Sequence, residues 1–324
     1  MSKNVALKPF KPGSKFNGWK IVEPVGGISD NGAAYKVLKE KLPYLLIIQK
    51  CGHDEILNYE IHVLQEMAKV SARHILQIEE TGQFFDDFSY VVLTLVGKTL
   101  NDLREYNNKF SRGTAVLIAI QCLITIENFH ENGYFLRDIK PSNFAIGRSE
   151  FDKLREIYLK NVYMAKKYKN HDGNVRDVFW PAKPRLHLRY APIAYHKQEK
   201  IRFIDEIESW FYMIVEWTCG QLPWKHLKDT NRDEILRIKE DFLTNGEQFL
   251  DECPQEYHQI LLIINATKRK DFFDKHIYEK AKAYPSLASL TFWKSAMSAC
   301  QSVFNPAGVV VRRLNFFIAL LCKP

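Results

Sequence analysis

The stretch from 134 to 147, YFLRDIKPSNFAIG, constrains this chain more than any other, because it sets a carboxylate, an ammonium and an amide at fixed short spacings. Asp138, Lys140 and Asn143 fall within six residues, and Pro141 fixes the backbone between them. A turning loop can aim the first and last of these side chains into one pocket. There a carboxylate accepts the proton of an attacking hydroxyl, an ammonium steadies the transferred phosphate, and an amide oxygen holds a metal ion. The set is a candidate phosphoryl-transfer loop. A surface turn rich in Arg, Asp, Pro and Ser is the plain alternative, and the Arg-Asp pair alone does not separate the two. The intact DIKPSN run favours the loop.

What precedes the loop supports it. Residues 1–17 form a polar lead without periodicity, read as an arm. WKIVEPV, from Trp19, alternates like a strand; GGISDNG follows, then AAYKVLK and the apolar run from Tyr44 to Ile48. This predicts a small β-meander. Gly27 and Gly32 match the first and last glycines of a phosphate-covering G-x-G-x-x-G loop, but Ser29 stands in the middle, so a simple hairpin turn fits as well. Lys50 closes the third strand, and Glu60 lies on a helix whose Leu57, Ile61 and Leu64 share a face. The two charges either pair beside nucleotide phosphates or are solvated, and Ile48 or Gln49 are alternative occupants of the Lys position. From 114 to 131 a strong helical pattern runs into the loop, with Thr114 as cap, Val116, Ala119, Leu123, Ile126 and Phe129 on one face, and Gly133 as stop.

Four stretches together, YFLRDIKPSNFAIG, YVVLTLVGKTLNDLR, RYAPIAYH and FYMIVEWTCGQLPWKHLKD, resemble the tau-tubulin kinase branch of the casein kinase 1 group of protein kinases, over about residues 18–265. The resemblance implies an α+β bilobal fold: an N-terminal lobe (18–96) of five antiparallel strands with one helix, a mostly helical C-terminal lobe (97–283), and ATP in the cleft. It implies Leu93 beside the adenine, a hinge from Thr94 to Val96 that includes Leu95, and Mg²⁺ at Asn143 and Asn161. Arg189, Gly220 and Lys228 fall where the family holds phosphorylated substrates, although each charge also suits a plain surface. Protein substrates or binding partners, acidic or phosphorylated, are the implied company.

The chain departs from that family at several positions. Where the family reads L-D-F-G-L-A-R, the chain reads Lys160, Asn161, Val162, Tyr163, Met164, Ala165, Lys166. The lost Asp is the carboxylate that carries Mg²⁺, and a hard cation gains far more from a charged oxygen than from an amide. Metal binding is therefore expected to be weak. Leu136 replaces the His before Arg137, His187 replaces a Thr near the base, and Glu206 replaces the helical Asp beneath the loop. Asp152, among polar neighbours, is expected to be solvated rather than a displaced ligand.

Composition limits the remaining possibilities. With 46% hydrophobic residues, 324 residues can bury a large core. The net charge of +8 is spread among 38 acidic residues with no long basic run, so no nucleic-acid binding is expected. Six Cys without C-x-x-C spacing, and no apolar leader, point to reduced thiols in a cytoplasmic or nuclear setting. The apolar run from Leu314 to Cys322 is too short to span a bilayer, so no transmembrane segment is expected. The 284–324 extension is expected to dock or to be partly disordered. Two functions stand: a pseudokinase that binds nucleotide or protein, and a Ser/Thr kinase with Asp138 as base.

Overall fold

Alternating burial builds the first part of the molecule, in a computed structural model that describes residues 6–269 apart from 86, 171 and 181–186. Strands β1 (Lys15–Phe16), β2 (Trp19–Pro24), β3 (Gly32–Lys39), β4 (Leu42–Lys50), β5 (Ile78–Phe84) and β6 (Phe88–Thr94) form one antiparallel sheet in the order β1-β2-β3-β4-β6-β5. The sheet has six strands rather than five. Glu40 and Lys41, at φ +52 and +72, make the two-residue turn between β3 and β4, the left-handed conformation that matches strand twist.

Period two gives the sheet two different faces. Trp19, Ile21, Tyr35, Val37, Leu46, Ile48, Phe88, Tyr90 and Val92 are buried on one of them. Leu7, Phe10 and Phe16 cover that face, with Phe16 edge-on to Tyr90 at 4.9 Å and Phe10 edge-on to Tyr35 at 5.6 Å. Leu7, Phe10 and Phe16, in the segment read as an arm, thus pack on the core, because they have an aromatic surface to meet. Glu80 accepts from Trp19 Nε1 and from the Tyr90 hydroxyl, both at 2.8 Å, which satisfies the polar tips of these rings.

Helix α1 (Glu55–Lys69) buries Leu57, Val63, Leu64 and Met67. Asp54 precedes it, taking hydrogen bonds from Ser89 Oγ at 2.5 Å and Asn58 Nδ2 at 3.0 Å; the Ser89 bond leads in holding its carboxyl below the usual range. Further on come α2 (Leu100–Asn107), α3 (Arg112–Glu131) and the short strands β7 (Tyr134–Phe135), β8 (Phe144–Ile146), β9 (Ile157–Leu159) and β10 (Lys166–Lys167). β8 pairs with β9, and β7 with β10. The helices α4 (Ile193–His196), α5 (Phe203–Cys219), α6 (Arg232–Asn245) and α7 (Glu256–Arg269) follow.

Among the described residues, those from 6 to 103 together with 141–165 form one compact unit, and 104–140 with those from 166 to 269 form a second. The chain crosses between them after Leu103, after Lys140 within the DIKPSN run, and after Ala165.

In the second unit α3 is capped by Ser111, whose side chain accepts from the Thr114 N–H at 3.3 Å; Thr114 is the donor, not the cap. Gly133 ends the helix at φ +82, and a Cβ there would lie 2.8 Å from Lys169 Cβ. By length and hydropathy α3 passes for a membrane span, yet Val116, Ala119, Leu123, Ile126 and Phe129 are wholly buried in the core beside α5. Nearly all of α5 is buried too, including Glu206, Glu208 and Glu216. The expected helix after 270 and the 284–324 extension lie outside the described residues.

Candidate functional site

Each unit carries one group of the candidate residues. In the first, the sheet face opposite the aromatic core and helix α1 enclose a cavity of about 280 Å³. β4 contributes Leu45 and Ile47, β6 contributes Val91 and Leu93, and α1 contributes Leu57, Glu60, Ile61 and Leu64. Leu95, Val96 and Gly97 line it beyond the end of β6. The walls are mostly apolar, which suits a flat, poorly hydrated ring.

The Lys50–Glu60 pair does not form. Because Leu45 and Ile47 face the cavity, alternation puts Lys50 with Leu46 and Ile48 on the other side of β4. Of the positions considered for a strand cation, Ile48 lies on the aromatic-core face, whereas Gln49 shares the parity of Leu45 and Ile47; Ile47 lines the cavity wall. Burial raises the Glu60 pKa, and the carboxylate is met by backbone N–H groups, Val162 at 3.2 Å and Tyr163. Tyr59 adds a second tie from α1 to the same segment, donating to the Ala165 carbonyl at 2.8 Å. Sequence reasoning missed both ties. Counting parity from Leu45 rather than distance from the helix identifies Ile47.

The loop before β3 folds back on itself. Ser29 N–H donates to the Gly32 carbonyl at 3.0 Å and Gly32 N–H to the Ser29 carbonyl at 3.3 Å, while Lys50 N–H donates to Asn31 O at 2.7 Å. Gly32 serves close strand packing, since a Cβ there would come within 2.7 Å of the Ile48 carbonyl. Gly27 is exposed with open space around it, and Val25 is what this loop contributes to the cavity wall.

Asn143 and Asn161 meet in this unit. Asn161 Nδ2 donates to Asn143 Oδ1 at 3.0 Å, and Lys160 N–H donates to Asn143 O at 2.7 Å. The pair offers no charge to a cation, and one of the facing atoms is a nitrogen that cannot ligate. These residues do not fit a Mg²⁺ site of the usual carboxylate kind. No cluster of three or more His, Cys, Asp or Glu suited to a metal occurs among the described residues. Asp152 is exposed at the end of a short turn, with φ +56.

The second unit holds the other residues of the loop. Lys140 Nζ lies 2.6 Å from Asp138 Oδ2, and Asp138 is nearly buried. The loop is fixed from α5: Glu206 takes the Arg137 N–H at 2.5 Å on one oxygen and His130 Nε2 at 2.6 Å on the other. Arg137 has φ +64, so this bond holds a backbone turn that a non-glycine residue rarely adopts. The longer Glu206 side chain thus reaches the loop backbone. Leu136 is buried beside it. His187 is largely exposed and pairs with Asp229 at 3.3 Å.

Arg189 lies 3.5 Å from the buried Glu216 carboxylate, Gly220 N–H closes α5 on the Glu216 carbonyl at 2.8 Å, and Lys228 is exposed. Glu216 also accepts from the Tyr190 hydroxyl, whose pKa burial drives up.

With this geometry in view, comparison with known proteins finds the chain similar to serine/threonine protein kinases. No protein-family model matches the chain. It is 27% identical over 267 residues to a probable serine/threonine-protein kinase of Dictyostelium discoideum, covering 81% of this chain and 52% of that protein. It is 28% identical to the serine/threonine-protein kinase spe-6 of Caenorhabditis elegans, over 81% of this chain and 69% of that one. A putative casein kinase I of the same organism is 26% identical over 78% and 76% of the two chains. The structure of vaccinia related kinase 3 superposes with a TM-score of 0.63 at 18% identity, covering 81% of this chain and 86% of that one. The chain is homologous to serine/threonine protein kinases and has the α+β protein-kinase fold. It spans about half the length of the Dictyostelium relative.

Proposed function

We propose that this is a casein kinase 1-like domain of the tau-tubulin kinase branch acting as a pseudokinase: it binds nucleotide, protein or both, and is impaired in metal-dependent phosphoryl transfer. The carrying observation is the hydrogen bond between Asn161 and Asn143, at 3.0 Å, where the family places its metal ligands. A paired amide couple lacks the carboxylate that keeps Mg²⁺ on the β and γ phosphates. Ile47 on the cavity wall supports the same reading, since a neutral side chain there cannot position phosphates. Partners are then proteins, and an acidic or phosphorylated segment reaching Arg189 has to displace Glu216. A cytoplasmic or nuclear setting follows the thiol pattern. Thermal unfolding with ATP, with and without Mg²⁺, tests the proposal. A ligand at one hundred times its Kd adds about 2.7 kcal/mol, and a shift that requires Mg²⁺ overturns it.

The second reading, an active Ser/Thr kinase, is favoured by the Asp138–Lys140 pair and by the anchored loop. In it Asp138 accepts the substrate hydroxyl proton and Lys140 neutralises the transferred phosphate. Asp138→Ala then abolishes transfer of labelled phosphate to a casein substrate while the protein stays folded. Wild-type protein with no transfer above that variant leaves the pseudokinase reading alone.

A further inference from the structure

The cavity presents one cation among the described residues, and it is not on the strand: Lys160, immediately before Asn161, lines its wall beside Glu60. No hydrogen bond or ion pair of the Lys160 ammonium occurs among the described residues. Its backbone, by contrast, is fixed. It follows β9, and its N–H donates to the Asn143 carbonyl at 2.7 Å. Glu60 makes no demand on it, because that carboxylate is held by the Val162 and Tyr163 N–H groups. A pinned main chain with a free four-carbon stem and an uncommitted point charge is what a phosphate-binding lysine requires.

The rest of the cavity sharpens the case. Leu45 and Ile47 leave its β4 wall without charge, and Asn161 brings none. Phosphates entering an apolar site without compensation lose their hydration at high cost. We propose that Lys160 is the phosphate-binding cation of this pocket, replacing both the strand lysine and the divalent metal, so that ATP binds in a metal-independent way. The inference rests on the nucleotide-pocket reading. It adds a residue and a charge source that reading does not contain.

Titration calorimetry of the full chain with ATP and with adenosine, each in EDTA and in Mg²⁺, tests it. Wild-type protein is expected to bind ATP about tenfold more tightly than adenosine in EDTA, the size of one charge-assisted hydrogen bond, with no further gain from Mg²⁺. Lys160→Met is expected to lower ATP affinity to the adenosine level while adenosine affinity stays unchanged. Because Lys160 is exposed, the variant keeps its wild-type Tm. ATP binding that survives Lys160→Met, that requires Mg²⁺, or that is no tighter than adenosine overturns the role of Lys160 and leaves the pocket reading standing. Binding of neither ligand by wild-type protein removes the nucleotide pocket itself, and the proposal with it.

Discussion

The loop around Asp138 and the cavity beside Glu60 differ in how their charged groups are partnered. Around Asp138 the polar groups keep their partners: Lys140 on Asp138, and the His130 ring and the Arg137 N–H on Glu206. Around Glu60 the expected ion pair is gone, and the carboxylate rests on two backbone N–H groups. Loss of a charge in a cavity is tolerated if its partner finds neutral donors. Loss of a buried anchor is not, because it strands two donors at once. The loop therefore retains its groups for structural reasons, whether or not chemistry still depends on them.

The largest effect expected from this contrast is at Glu206. Glu206→Ala leaves buried His130 and a strained Arg137 turn unsupported, and costs about 3–5 kcal/mol in denaturant unfolding. Glu206→Asp recovers part of the loss, and a cost of Glu206→Ala below about 1 kcal/mol would erase the contrast. Next is the attempt to rebuild the other side. Ile47→Lys with Asn161→Asp supplies a cation to Glu60 and a carboxylate to a metal, and should make ATP affinity rise about tenfold on adding Mg²⁺. Calorimetry showing no Mg²⁺ response in that double variant means that further losses govern the site.

A smaller effect concerns Glu60 itself. Burial raises its pKa above the usual 4.5, so the folded state retains a proton that the unfolded chain has released. Its contribution to stability is complete below 4.5 and falls as pH rises through the raised value. Glu60→Gln should flatten that decline in a Tm-versus-pH series and cost less than about 1 kcal/mol at pH 8. A steeper decline in the variant would mean that a cation pairs with Glu60 after all. The smallest effect is at Lys140→Met, which removes a part-exposed ion pair and should cost under about 1 kcal/mol while abolishing any residual transfer.

Much of this was legible in the sequence, and the errors share a cause. Strands, α1, α3 and the glycine stop at Gly133 follow from local patterns. The arm was misjudged because Leu7, Phe10 and Phe16 show no period of their own; they pack on a surface made by residues far along the chain. The side of β4 that Lys50 faces is not legible in the sequence because a run such as LLIIQK is apolar on both parities, and the facing side is set by what packs against each face. The Asn161–Asn143 bond spans eighteen residues and was invisible for the same reason.

By itself the sequence determined the kinase-like plan, the DIKPSN loop, and that Asn stands at 161 and Glu at 206. These are identities and short spacings, and no fold is needed to read them. Only the tertiary structure decided that Ile47 rather than Lys50 faces the cavity, that Glu60 rests on backbone N–H groups, and that Lys160 is the cation on the cavity wall. Which side of a strand is inside is a property of the partners that cover it, and those partners come from elsewhere in the chain.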